Sequence, residues 1–188
     1  MLATYSRLNA SHPIATKSAI SGALLGAADV AAQQCKQGAG EPQHDWRRTA
    51  AMAAWGLGCN GPAGHAFYAA LDRFVTRQGM RATALKIAID QLLYTPPLTA
   101  GFFLFQTLAA GGSTAAALAT VRAETGPTLL YNWGFWSLAH VITFTAIPLE
   151  HRVAWVALKN FTWSTFLSWR LSVSASRMKP SAADGGCV

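Results

Sequence analysis

Residues 125–149 read TGPTLLYNWGFWSLAHVITFTAIPL, 25 residues without one Asp, Glu, Lys or Arg. A helix rises about 1.5 Å per residue, so about 20 residues cover a hydrocarbon core of roughly 30 Å, and this stretch is long enough to cross a bilayer. Uncharged runs recur at 49–71 and 91–121, and residues 18–35 add a fourth, broken only by Asp29. In a soluble bundle one face of each helix meets water and carries charge every three or four residues, which these runs do not. The whole chain of 188 residues is 52% hydrophobic and only 12% charged, against about a quarter charged in an ordinary soluble domain. That balance excludes disorder, the length suits one domain, and three cysteines at scattered positions exclude a disulfide scaffold.

These readings predict an all-α, integral membrane helical bundle in a single domain over residues 1–176. Transmembrane helices are expected near 17–35, 48–71, 83–110 and 127–149. An amphipathic helix follows at 152–173, with a fifth crossing as its alternative, and residues 177–188, rich in Gly, Ala and Ser, are expected to be a disordered tail. The Ala-rich stretch 114–122 reads as a short helix of its own. Basic residues gather near both termini and in the linker 72–82, around Arg73, Arg77 and Arg81, which places both termini on the non-translocated side. The net charge of +7 is therefore a juxtamembrane signature. No basic stripe interleaved with stacking aromatics lies outside the spans, so nucleic acid is not an expected partner and the lipid bilayer is.

The polar residues inside the spans recur at helical spacing. Gly22, Gly26, Asp29 and Gln33 fall at i, i+4, i+7 and i+11 on one face, and Gly22 and Gly26 form a small-residue pair that lets two backbones approach. Gly61, His65, Tyr68 and Asp72 repeat the spacing in the second span, with Pro62 in its middle. The third opens with Lys86 and Asp90, one turn apart and able to pair locally, then Gln91 and the Pro96-Pro97 pair, which is expected to kink or interrupt it. The fourth carries Asn132, Trp136, His140 and Thr143. A carboxylate in hydrocarbon costs a few kcal/mol and is rarely kept without a partner or water. Four such stripes either interlock as a dry hydrogen-bonded core or surround a narrow aqueous path, and the sequence leaves both open.

In residues 152–173, Arg152, Lys159, Trp163 and Arg170 share one face. The segment is read as interfacial and partly inserted, with aromatic rings at headgroup depth; a tilted span with its basic stripe toward the bundle interior is the alternative. Catalytic motifs are missing: there is no nucleophile elbow, zincin, Cys-x-x-Cys, Walker or dinucleotide signature. No catalytic residue, metal or cofactor is expected.

Taken in order, Tyr5, His12-Pro13, Gly26, Asp29, Gln33, Asp45, Arg48, Gly61-Pro62, Tyr68, Leu71-Asp72-Arg73-Phe74, Lys86, Asp90-Gln91, Pro96, Asn132, Trp136, Pro148, Arg152 and Phe166-Leu167-Ser168-Trp169 resemble the motifs of the peroxisomal membrane protein / Mpv-seventeen family of small four-span organelle membrane proteins. The resemblance implies a multi-pass protein of the mitochondrial inner membrane, or alternatively of the peroxisomal membrane. It implies a weakly selective channel for small solutes and metabolites, linked in mitochondria to nucleotide pools and organelle DNA maintenance. Asp29, Gln33, His65, Asp90, Gln91 and His140 are then the residues expected to line or gate it, and Gly22, Gly26, Gly61, Pro62, Pro96 and Pro97 those that pack or kink its helices. A non-conducting structural or assembly protein is the alternative, and a homo-oligomer is left open. The chain departs from the family pattern after the fourth-span tryptophan, where Ser137 and His140 stand in place of proline and glutamine.

Overall fold

The computed structural model describes residues 2–35, 43–77, 79–145 and 152–178, and all of their regular structure is helical. Helix α1 (Leu2–Ser11) was not anticipated; it stops at His12, and Pro13 opens α2 (Pro13–Gln34) where its missing N–H would have had no helical partner. Asp45 caps α3 (Trp46–Trp55), its carboxylate accepting the Arg48 N–H at 3.0 Å. A π-helical turn at Gly56–Asn60 leads straight into α4 (Gly61–Phe74). Beyond Gly79, whose φ of 109° suits a residue without Cβ, α5 (Met80–Ile89) runs through a second π turn, Asp90–Tyr94, into α6 (Thr95–Ala109). Gly111, at φ 85°, closes that helix. The Ser113 hydroxyl accepts the Ala116 N–H at 3.2 Å and starts α7 (Thr114–Thr145), and α8 (Arg152–Met178) completes the chain.

Three boundaries correct the sequence reading. The Pro96-Pro97 pair does not interrupt its helix, and neither does Pro62. Each lies just past a π turn, in which the N–H of Gly61 reaches Gly56 O and that of Thr95 reaches Asp90 O. A proline lacks the N–H and pushes its ring at the carbonyl one turn back; a turn widened to i→i+5 makes room for it. Residues 46–74 and 80–109 are therefore two long helices of roughly 40–45 Å. The stretch 114–122 is not a separate helix but the first turns of α7, which continues through Pro127. Helix α8 runs on to Met178, so the expected tail begins inside it; residues 179–188, like 146–151 near the end of the fourth expected span, lie outside the described residues. Among the described residues, no helix is long and apolar enough to cross a membrane.

Helix α2 is the hub, packed against α1, α3, α4 and α8, while α6 lies against both α3 and α7. A Cβ added to Gly56 would sit 2.6 Å from Ser21 O, and one added to Gly61 2.5 Å from Ser18 Cα, so α2 meets the α3–α4 helix backbone to backbone. Leu25, Met52, Trp55, Phe102 and Phe103 form the apolar core where α2, α3 and α6 converge. The rest of the interior is unusually polar: Asp29, Gln106, Thr120, Glu124, Thr128, Asn132, Lys159, Ser168 and Arg170 are all buried. Outside, Leu57, Leu92, Leu93, Leu108, Leu130 and Leu138 are exposed.

Candidate functional site

Asp29, two turns beyond Gly22 on α2, is wholly buried. Its Oδ1 lies 2.9 Å from Arg48 Nε and accepts the Ser168 hydroxyl at 2.5 Å; its Oδ2 accepts the Thr49 hydroxyl at 2.6 Å and the Gln33 amide at 2.7 Å. Arg48 also donates to the hydroxyl and, at 2.9 Å, to the carbonyl of Ser168. Gln33 extends the cluster to the cap of α3, donating to Asp45 O at 3.1 Å and accepting the Asp45 N–H at 2.8 Å. One carboxylate thereby joins α2, α3 and α8. Three hydrogen bonds and the ion pair with Arg48 surround the carboxylate, so its burial is matched by an opposite charge and by donors. Each helix brings its partner for a local reason: the i, i+4 spacing stacks Gln33 over Asp29, and the Asp45 cap fixes where Arg48 and Thr49 leave the first turn of α3.

The other expected residues do not join this cluster. His65 Nδ1 lies 3.0 Å from Lys17 Nζ between α4 and α2, and nearby the Asn60 amide donates to Ser21 Oγ at 2.8 Å. Asp90 accepts the Tyr68 hydroxyl at 2.7 Å and the Gln91 amide at 2.9 Å. The expected local pair of Lys86 with Asp90 is not formed; Lys86 reaches across to Asp72 at 2.6 Å, on the exposed end of α4. Asp29, His65 and Asp90 thus sit in three separate clusters, each with its own partners, and not around one lining. His140 lies on α7, but its side chain is outside the described residues, as is that of Arg152. Lys159 and Arg170 turn inward and are buried, matching the alternative in which the basic stripe of this segment faces the bundle.

Glu124, which reasoning from sequence passed over, and Arg48, Ser168 and Arg170, whose partners it did not find, carry much of the interior. Glu124 and Arg170 form a buried ion pair between α7 and α8. Glu124 marks the start of the uncharged run at 125–149, and such a charge reads as linker punctuation; only the continuity of α7 through Pro127 puts it inside. Arg48 and Ser168 belong to the family-like motifs, but nothing in their spacing links residues 120 positions apart to Asp29. Where the two π turns face each other, Trp55, Cys59, Pro62, Tyr94, Pro97 and Leu98 line a largely apolar cleft of about 430 Å³. Among the described residues there is no group of three or more His, Cys, Asp or Glu placed to hold a metal ion.

Residues 107–168, which cover α7 and much of α8, match the Mpv17 / PMP22 family. Mitochondrial inner membrane protein Mpv17 of Danio rerio is 30% identical over 167 residues, 89% of this chain and 94% of that protein. Protein sym1 of Aspergillus oryzae is 32% identical over 169 residues, covering 89% and 96%, and peroxisomal membrane protein 2 of Bos taurus is 30% identical over 172 residues, covering 89% and 87%. No solved structure matches the chain. Similarity of this extent along nearly the full length of relatives from animals and fungi establishes that the chain is a member of the Mpv17 / PMP22 family of membrane proteins.

Proposed function

We propose that this protein is a multi-pass organelle membrane protein that forms a weakly selective channel for small solutes and metabolites, with the described conformation its closed state. The mitochondrial inner membrane is its proposed home and the peroxisomal membrane the alternative, following the names of its relatives. In this reading α2, the helix over residues 46–74, the helix over 80–109 and α7 cross the bilayer as one domain, and α8 is inserted beside them. The inverted distribution of polarity carries the proposal. Asp29, Glu124, Lys159 and Arg170 lie inside while large leucines face outward, the arrangement that hydrocarbon solvent favours and water does not. Charges kept inside a membrane bundle mark solute or ion paths by default. The Asp29–Arg48–Ser168 cluster is the proposed gate, because parting it would release α8 from α2 and α3.

The test is flux through the purified protein in liposomes. Entry of small solutes that Asp29→Asn or Ser168→Ala alters is the expected result; a folded protein that passes none, at any voltage or pH tried, refutes the channel. A non-conducting assembly protein is the second reading, favoured by the full set of partners around Asp29. On that reading Asp90→Asn lowers stability and leaves flux unchanged.

A further inference from the structure

The turn between α4 and α5 carries charge that neither the core nor the Asp29 cluster uses. Helix α4 ends at Phe74 and α5 starts at Met80, with Gly79 reversing the chain between them. The two helix ends are clamped: Lys86 meets Asp72 at 2.6 Å across the turn, and the Thr83 N–H and hydroxyl both donate to Gly79 O, at 3.0 and 3.2 Å. Asp72 is the only acid between Asp45 and Asp90, and the pair with Lys86 occupies it. Arg73, Arg77 and Arg81 are exposed and form no ion pair among the described residues. Beside them stand Phe74, 87% exposed, and Met80, 90% exposed, the most exposed large hydrophobic residues among those described.

A turn in water gains nothing from two bare hydrophobic side chains. Cations interleaved with unburied apolar groups suit a boundary that is apolar on one side and anionic on the other. The helices over 46–74 and 80–109 are each roughly 40–45 Å long, the thickness of a bilayer with its headgroups. They are paired from Met52 with Gln106, through Tyr68 with Asp90, to Asp72 with Lys86, so both reach the turn together. Where these helices cross a bilayer, the turn stands at headgroup depth. Exposed apolar side chains continue from Met80 through Leu85, Ile87, Leu92 and Leu93, which joins the patch to the outward-facing leucines. An acidic protein segment would answer the arginines but not this continuity. Guanidinium forks take phosphate oxygens in pairs, and each basic residue at an anionic membrane surface contributes about fivefold in affinity.

We propose that the α4–α5 turn is a docking surface for the headgroups of an anionic lipid leaflet: Arg73, Arg77 and Arg81 take the phosphates, and Phe74 and Met80 enter the boundary with the acyl chains. The surface rests on the proposed crossing of both helices and goes beyond it by naming the lipid class held at this end; it does not require conduction.

The test uses the whole protein in equimolar phosphatidylcholine and phosphatidylglycerol liposomes, with one lipid at a time carrying brominated acyl chains. Phe74→Trp adds a reporter at the turn, read as the difference from the parent, whose own tryptophans show whether the bundle lies in the bilayer. Quenching at the reporter is expected to favour phosphatidylglycerol by at least about fivefold in relative association. With Arg73→Gln, Arg77→Gln and Arg81→Gln added, the preference is expected to fall to within about twofold of none, and high sodium chloride is expected to weaken it in the unaltered turn. Because the three arginines hold no partner in the fold, these substitutions are expected to move the melting temperature by no more than about 2 °C. Equal quenching by both lipids, a preference that survives loss of the arginines, or one abolished by inorganic phosphate at constant ionic strength overturns the surface. So does a reporter left unquenched while the parent tryptophans are quenched, the result expected if a second copy or a soluble partner covers the turn. Tryptophans unquenched throughout refute the crossing, and the surface with it. Headgroup selection in a protein that passes no solute refutes the channel and leaves the surface standing; a conducting protein indifferent to phosphatidylglycerol does the reverse.

Discussion

Asp29→Asn is the most direct probe of the central cluster. Asparagine keeps the size of the side chain but removes the charge that Arg48 matches at 2.9 Å, and it turns an NH2 group toward donors from Gln33, Thr49 or Ser168. Asp29 is wholly buried and the Arg48 side chain only 19% exposed, so neither the lost pair nor the stranded guanidinium is relieved by solvent. Removing one partner of a buried ion pair costs about 3–5 kcal/mol. For a chain of this length each kcal/mol moves the melting temperature by about 2–4 °C, so the variant is expected to melt roughly 6–20 °C below the parent. The assay is thermal unfolding in a mild detergent, read by tryptophan fluorescence and far-ultraviolet circular dichroism. Arg48→Met alone is expected to fall in the same range. The double variant, which removes both charges, is expected to recover about 2 kcal/mol or more relative to the sum of the single losses. An Asp29→Asn protein within about 1 kcal/mol of the parent, or a double variant whose loss is simply additive, refutes the claim that this pair holds α2, α3 and α8 together.

Three further expectations concern other parts of the bundle. Gly56→Ala, whose methyl would meet Ser21 O at 2.6 Å, is expected to destabilise by about 1–3 kcal/mol, whereas Gly58→Ala, with nothing within 4 Å, is expected to be neutral or slightly stabilising; equal melting temperatures for the two would remove the backbone contact from the account. Lys86→Gln breaks an ion pair whose carboxylate is 73% exposed, and urea unfolding should register less than about 1 kcal/mol, while Tyr68→Phe, which removes one of the two hydrogen bonds to Asp90, should cost about 1 kcal/mol. A thiol reagent followed by peptide mass spectrometry is expected to label exposed Cys35 faster than half-buried Cys59; the opposite order would mean that the cleft beside Trp55 and Pro62 stands wider open than described.

The helices were legible because hydrophobic runs and their punctuation are local properties. The uncharged stretches together with the residues that punctuate them located α2 and the helices over 46–74 and 80–109 to within a few residues, and the i, i+7, i+11 spacing put Gly22, Asp29 and Gln33 on one face. The effect of proline was not legible. A proline breaks an α-helical ladder, but a π turn one step earlier relieves the clash, and no composition signal in Gly56–Asn60 or Asp90–Tyr94 announces that widening. Glu124 was passed over for a related reason: charge at the edge of an apolar run looks like a loop until the helix through it is known to continue.

The sequence by itself determined that the chain is helical and that a few charges within its apolar runs are worth locating, because each follows from composition and period along one segment. It also carried the family motifs. Only the tertiary structure decided who partners whom: Asp29 with Arg48 and Ser168, Glu124 with Arg170, Lys86 with Asp72, and Lys159 with the face of Trp136. Pairing depends on which helices touch and at what register, and in a bundle of similar apolar helices periodicity assigns each residue a face without naming the neighbour on the other side.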